Sequence, residues 1–564
     1  MKNLSHISTL LLVLIGLVTI NLLGTLFHKR YDLTQDQRYS LSDPTKDLLD
    51  QIDSPLIIDV FLEGVLPAEF KKLQNETRYL LEEMQAYNSN IRFEFSNPVE
   101  EGENATQVAQ QFNEFGMTTI PLKVKEDGKE TVQTIFPWAT INYNDKAQPV
   151  ALVKNAVGAS PEQLVYASIQ NLEYVFAESL HSTLHAKSKR IAVLRDNGEL
   201  PDANIADMFR KLRDTYNIAP FPMEFANQDP DKALKALQNT FDLIVIAKPT
   251  KAFTEKQKYV IDQYIMNGGN SLWMLDAVAM EDDSLRNDKG ATVAFPRDIN
   301  IDDQLFKYGI KISPSLVLDL YSAPLSVATG DGSEAQYIQL PWLYRPQAPG
   351  MNTHPINTNI EKPVLFNYAN PITLLDNKSN VSKTVLLQSS IYTKVESTPR
   401  EISLDQVDIE PLESEFQHGQ QPLAVLLEGT FNSAFTNRVL PDGGDQNSFR
   451  ESAQKNPKLI VIADGDFISN SLDLRGQPLE LGFDYYTRTS YGNKEFLLNA
   501  VNYLLDDTGL INIRNKEIAL PFLDTQKTSQ NNTTWQVLTI GLPLVILLLF
   551  GLLYSAIRKR RYAR

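Results

Sequence analysis

Two long apolar runs stand near the ends of the chain, Ile7–Phe27 and residues 535–557, and between them apolar positions recur only at the spacing of strands and helix faces. Wound as a helix, each run is about 30 Å long at roughly 1.5 Å per residue, which matches a bilayer's hydrocarbon core. The pattern predicts two transmembrane helices joined by one large folded loop. Arg558, Lys559, Arg560, Arg561 and Arg564 follow the second run at once, and cations there favour the cytoplasmic side. Lys2 precedes the first run, but Lys29 and Arg30 follow it, so the orientation rests on the C-terminal tail. With two spans both termini share one side, and residues 28–534 face outward. A cleaved signal peptide is the competing reading of Ile7–Phe27, but the run is longer than a usual signal core and no A-x-A-like site follows it.

After the first run, Ser42 is expected to cap a short helix, with Pro44 in its first turn and Leu48, Leu49 and Ile52 on its apolar face. LIIDVFL (56–62) reads as a buried strand, 67–87 as an amphipathic helix, 91–95 as a strand, and 105–116 as a helix closed by Gly116. A hairpin turning at Asp127-Gly128 follows, then further strands over 138–153 and a helix near 161–180. This order, over 31–187, resembles the thioredoxin fold, with Ile120-Pro121 where that family places a cis-proline. The resemblance stops at chemistry: Glu63, Gly64 and Val65 occupy the place of the redox pair.

A second alternation spans 188–511. Strands are expected at 189–194, 218–225, 241–249, 271–276 and 315–319, with helices between them. Thr254 and Gln257 form a capping box for the helix at 255–266, which Gly268-Gly269 stops. Continuous apolar strands alternating with helices predict a doubly wound parallel α/β sheet. Residues 321–455 break the rhythm with prolines and short β-like runs and are expected to be a β-rich insertion. The alternation resumes at KLIVIADGDF (458–467) and the helix 494–507, before a polar juxtamembrane linker at 512–534 and a basic tail at 558–564.

The formal charge of −16 argues against nucleic acid, whose affinity comes from Lys and Arg on phosphates. The chain has no cysteine; this removes every thiol mechanism and thiolate metal site. No P-loop, G-x-S-x-G elbow or H-E-x-x-H is present, so neither P-loop ATP hydrolysis nor these hydrolase mechanisms have their residues here. No catalytic residue, cofactor site or metal site is expected. His181 and His185 share a helix face but lack the Glu and further ligand of a zinc motif.

Asp276, Asp464 and Asp466 stand at the ends of expected strands, where an open α/β sheet forms its ligand crevice. They are the candidate ligand contacts; the plainer reading is that they start turns and cap helices. Within the spans, Gly551 and Ser555 form a small-x-x-x-small pair, and Asn21 is a polar group in hydrocarbon. These three are candidates for intramembrane packing.

RYDLTQDQRYSLSDPTKDLL, FPWATINYND (136–145), VIADGDFISN (461–470) and GNKEFLLNAVNYLLDD (492–507) carry a family likeness. With them the chain resembles the GldG-type accessory proteins of gliding-motility ABC transporters of Bacteroidetes-type bacteria. The resemblance implies partnership with a permease subunit and a separate cytoplasmic ATPase subunit, a periplasmic body on the inner membrane, and a role in gliding and associated secretion. It also implies a GIFT-like domain, related to class I glutamine amidotransferases, here without their cysteine. The function expected is a non-enzymatic accessory subunit; the alternative is a tethered periplasmic solute-binding module.

Overall fold

Regular structure forms where apolar residues recur at a fixed period. The computed structural model describes residues 40–64, 66–99, 104–126, 129–153, 160–185, 187–329, 336–349, 354–358, 360, 362–376, 380–506, 508–515 and 537–562, with Gly16 and Thr19. The rest of Ile7–Phe27, Asn21 included, lies outside the described residues, as does the Asp127-Gly128 turn. The chain divides into two compact units, one ending at Lys516 and one running from Glu517 to Arg564.

The first unit begins with α1 (Asp43–Leu49), β1 (Leu56–Val60), α2 (Ala68–Tyr87), β2 (Ile91–Phe95) and α3 (Ala105–Glu114). It continues with β3 (Ile120–Glu126), β4 (Lys129–Ile135), β5 (Trp138–Tyr143), β6 (Lys146–Ala151) and α4 (Pro161–Leu184). A four-stranded sheet has the order β2-β1-β5-β6; β1 runs parallel to β2 and antiparallel to β5. The period of two decides its buried face: Leu56, Ile58 and Val60 are enclosed, while Ile57 is exposed. Phe70, Leu73, Leu81 and Met84 are buried along α2, which packs against α4. The hairpin that completes this sheet is β5-β6; β3 and β4 pair only with each other among the described residues. The Ile120-Pro121 bond is not cis; the cis X-Pro bond in the described residues is Thr398-Pro399. Ser42 precedes α1 without a side-chain cap bond, because its hydroxyl pairs with that of Thr45 at 2.8 Å.

The larger part of this unit is a seven-stranded sheet. Its first four strands run parallel: β7 (Arg190–Arg195), β8 (Asn217–Pro222), β9 (Leu243–Ala247) and β10 (Asn270–Met274), interleaved with α5 (Ala206–Leu212), α6 (Pro230–Thr240) and α7 (Glu255–Met266). Beyond α8 (Asp302–Tyr308) come β11 (Asn380–Gln388), β12 (Pro422–Thr430), β13 (Lys458–Ile462) and α9 (Asn493–Leu505). The order is β11-β12-β13-β10-β9-β7-β8. The sheet is mixed, because β12 runs antiparallel to both β11 and β13. Thus KTVLLQSS and PLAVLLEG contribute strands to the main sheet. Alternate residues feed two cores: Ala192, Leu194, Ile244, Ile246 and Trp273 on one face, Ile191, Val193, Val245, Leu272 and Met274 on the other. This is why the strands read as unbroken apolar runs. At the edge strand β8, Pro220 and Pro222 remove two amide donors, which discourages further pairing.

Thr254 and Gln257 form the expected capping box, and Gly268, at φ +95°, follows α7. The loop after β12 is pinned to α7 by a buried carboxylate. Asp262 accepts from the Ser433 hydroxyl at 2.6 Å, the Ala434 amide at 2.8 Å and the Tyr308 hydroxyl at 2.9 Å.

In the second unit, a π-turn at Val537–Gly541 leads into α10 (Leu542–Tyr562). Thr539–Arg560 is long and apolar enough to cross a membrane, with a mean hydropathy of 2.5. Gly551 lies on it with nothing within 4 Å of where a Cβ would stand, and Ser555 is exposed.

Candidate functional site

The strand-end aspartates meet at the carboxyl edge of the large sheet. Asp276 follows β10 and Asp464 follows β13, and these strands are neighbours. The feature that organises them is Lys248, placed directly after β9, the next strand along. Its backbone lies at φ +56°, a left-handed conformation unusual for a lysine. The residue is buried. Its Nζ donates to Asp466 at 2.6 Å and to Glu281, and stands 3.9 Å from Asp276 Oδ2. Arg297 adds a second cation, 3.1 Å from Glu281 and 3.9 Å from Asp276 Oδ2.

The carboxylates have distinct local jobs. Asp276 accepts from the Gly465 amide at 2.5 Å. Asp464 caps the 3-10 turn Gly465–Ile468, accepting from the Asp466 amide at 2.8 Å, and takes the Asn367 amide at 2.7 Å on its other oxygen. Thus Asp464 does act as a turn-starting cap. Gly465 is required by crowding: a Cβ there would come within 2.6 Å of Asp276 Oδ2 and of Lys248 Cγ.

Burial raises the pKa of Asp276 despite the opposing pull of Lys248. Burial also raises Asp464 far above the usual carboxylate range, with Asp466 and Asp276 adding repulsion. Asp466 is pushed up to about 7, again chiefly by burial, with Lys248 opposing. Lys248 itself loses some basicity to burial, but Asp466, Asp276 and Glu281 outweigh that and raise its pKa. Burial thus favours the protonated form of the three aspartates more than water does, with Lys248 opposing.

Chemically, this is an ionic cluster enclosed at Lys248 and Asp276 and reached by solvent at Glu281 and Asp466. The place where a doubly wound sheet would receive a ligand is filled by the chain's own ammonium. Lys248, Glu281 and Arg297 escaped the sequence reading; the available signal was a lysine directly after the most apolar strand.

The stretches of family likeness supply clamps. Asn470, in VIADGDFISN, accepts from the Asp207 amide at 3.2 Å and donates to the Ala203 carbonyl, closing the start of α5. Asn493, the first residue of α9, bonds both the amide and the carbonyl of Leu365. Asn142 and Tyr143, in FPWATINYND, donate to Asp59 and Asp53. After β1, Glu63 takes a bond from Gln74 and pairs with Arg78 at 3.5 Å.

A second concave region lies where α4 meets the large sheet domain. It is a cavity of about 360 Å³ lined by Tyr174, Glu178, His181, His185, Tyr216 and Asn502, among others. The two histidine rings stack at 4.5 Å, and His185 Nδ1 lies 3.2 Å from the His181 carbonyl. Among the described residues no group of three or more His, Asp or Glu side chains is arranged to hold a metal.

The geometry defines an α/β protein whose strand-end crevice is occupied by its own buried ion pairs. The profile of the ABC-transporter auxiliary family, described as an ABC-type uncharacterized transport system, matches residues 188–500, more than half of the chain, and the chain belongs to that family. A domain of unknown function (DUF7088) matches residues 35–142. No curated protein matches the chain. Among solved structures, the mmIFT52 N-terminal domain is similar at 13% identity and a TM-score of 0.31, covering 57% of this chain and 99% of its own.

Proposed function

We propose that the chain is a non-enzymatic accessory subunit of an ABC transporter complex. The family supports an auxiliary role in such a system. The observation that carries the non-enzymatic reading is Lys248, which sits buried where substrate would bind, with its donors directed at Asp466 and Glu281. We further propose the finer assignment to the GldG type, with a GIFT-like large domain and a role in gliding motility and its secretion apparatus. In this reading the subunit couples a permease and a separate cytoplasmic ATPase to periplasmic partners. The β2-β1-β5-β6 order, with β5 antiparallel to β1, favours a thioredoxin-like first layer.

In this proposal Ile7–Phe27 and residues 535–557 both span the bacterial inner membrane, with both termini in the cytoplasm and the body in the periplasm. The apolar helix Thr539–Arg560 and its basic end support the second of these spans. Purification of the full chain in mild detergent should recover the permease and the ATPase. Recovery of the chain alone, from membranes where the permease is intact, would refute the accessory role. Added protease should digest the body in spheroplasts and spare the arginine-rich tail; the opposite pattern would refute the topology. The tethered solute-binding reading requires Lys248 to move aside, and a small molecule retained by the purified chain would favour it.

A further inference from the structure

We infer that the short turn Leu510–Asn515 is a latch that holds the N-terminal layer onto the large sheet domain. This 3-10 turn is the last described element before the second unit. It packs against α1 and α4 on one side and α9 on the other, and Leu510, Ile511 and Ile513 are buried there. A single side chain sets its shape. Asp506 accepts from the Thr508 amide and hydroxyl at 2.8 Å, the Gly509 amide at 2.8 Å and the Ile511 amide at 3.0 Å. Such a local side-chain-to-backbone knot orders a segment too short to be a stable helix by itself.

The turn also closes one side of the 360 Å³ cavity, since Leu510 and Ile511 line it with Tyr174 and Tyr216. Across that cavity the two layers are bridged by a chain of hydrogen bonds. Tyr216 donates to Asn502 at 2.9 Å, Asn502 to Tyr174 at 3.3 Å, and Tyr174 to Glu178 at 3.1 Å. A cavity beside such a bridge means that the layers meet through few apolar contacts at that point, and little free energy opposes their separation once the turn leaves. The latch thus governs whether α4 stays docked on the large sheet domain. This inference goes beyond the accessory role and does not require a transporter.

The test is hydrogen–deuterium exchange on the isolated full chain in detergent. Asp506→Asn should speed exchange about five- to tenfold within residues 174–184 and 214–217 as well as within 506–515. Strands β9, β10 and β13 should be unchanged. Asp473→Asn is the control, because Asp473 makes the same kind of turn with the Arg475 and Gln477 amides at 2.8 Å; it should leave α4 untouched. Ile511→Ala, which keeps the Asp506 turn and removes buried packing, serves as the second variant and should repeat the pattern. Faster exchange confined to 506–515, or spread equally through β9, β10 and β13, would overturn the inference. Either result would leave the transporter association standing, because no partner is present in the assay.

Discussion

Ser42 and Glu173 are separated by 131 positions and joined by a 2.7 Å hydrogen bond, backbone amide to carboxylate. Thr45 donates its hydroxyl to the same oxygen at 2.9 Å. Glu173 is almost fully enclosed on α4, so it fastens α1 onto the helix that closes the N-terminal layer. Removing it leaves the half-buried Ser42 amide unmet and takes from the buried Thr45 hydroxyl its charged acceptor. Glu173→Ala should therefore destabilise this attachment by about 2–3 kcal/mol, seen as faster proteolysis of residues 43–52 in the full chain. Equal cleavage of variant and parent would show that the bond contributes nothing.

Lys248→Met tests the ionic cluster. The substitution keeps most of the buried stem and deletes the charge that Asp466, Asp276 and Glu281 surround. Leaving buried carboxylates without their cation typically costs about 3–5 kcal/mol. The loss should appear as a lower urea midpoint for the large sheet domain at pH 8 and shrink towards pH 5, as the acids take up protons. A variant as stable as the parent at pH 8 would mean that the cluster relaxes freely.

The same cluster predicts a pH dependence in the unmodified chain. Asp466 titrates near 7 in the fold but at about 3.9 when unfolded, so between those values the folded state binds more protons. Its contribution therefore declines as pH rises from about 4 to 7 and is level above that. Asp466→Asn should flatten this part of the urea-midpoint profile. An unaltered slope would assign the dependence to other groups.

His181 acts with the opposite sign. Burial, reinforced by His185, lowers its pKa in the fold, with Asp506 opposing. The folded state thus favours the neutral ring, and stability is lost as pH falls through about 6.5 and below. Glu178, Asp506, Asp214, Lys187 and Lys189 also line that cavity and set the background against which the histidine titrates. Hydrogen exchange in residues 174–184 should accelerate between pH 7 and 5, after correction for intrinsic rates, and His181→Asn should remove most of that acceleration. Persistence of the full effect in the variant would exclude His181 as its source.

Gly465→Ala addresses crowding. The added methyl would meet Asp276 Oδ2 and Lys248 Cγ, both at 2.6 Å, and both residues are buried. A loss of about 1–3 kcal/mol is expected, measured by chemical denaturation; a neutral variant would show that the 3-10 turn shifts easily.

Much of the architecture was already legible in the order of residues, and the reason is local. Apolar runs such as Leu243–Ala247 and Lys458–Ile462 announce two-sided burial, Thr254 with Gln257 announces a helix start, and the residues of Thr539–Arg560 announce a helix of bilayer length. Each signal depends on neighbours within a few positions. Asp276, Asp464 and Asp466 were legible as residues at strand ends because strand ends are local too.

Tertiary structure decided what those residues face. Whether a hairpin joins a sheet depends on distant partners, which is why β5-β6 completes the four-stranded sheet and β3-β4 does not. Whether β11 and β12 belong to the main sheet depends on β13, far along the chain. Lys248 reaches Asp466 across 218 positions, and no spacing rule encodes such a meeting. Local pattern determined which segments become strands and helices, because backbone geometry repeats over a few residues. Only the folded chain could turn three strand-end aspartates into a lysine-filled cluster, because charge neutralisation inside a core depends on which distant groups share the same few ångströms.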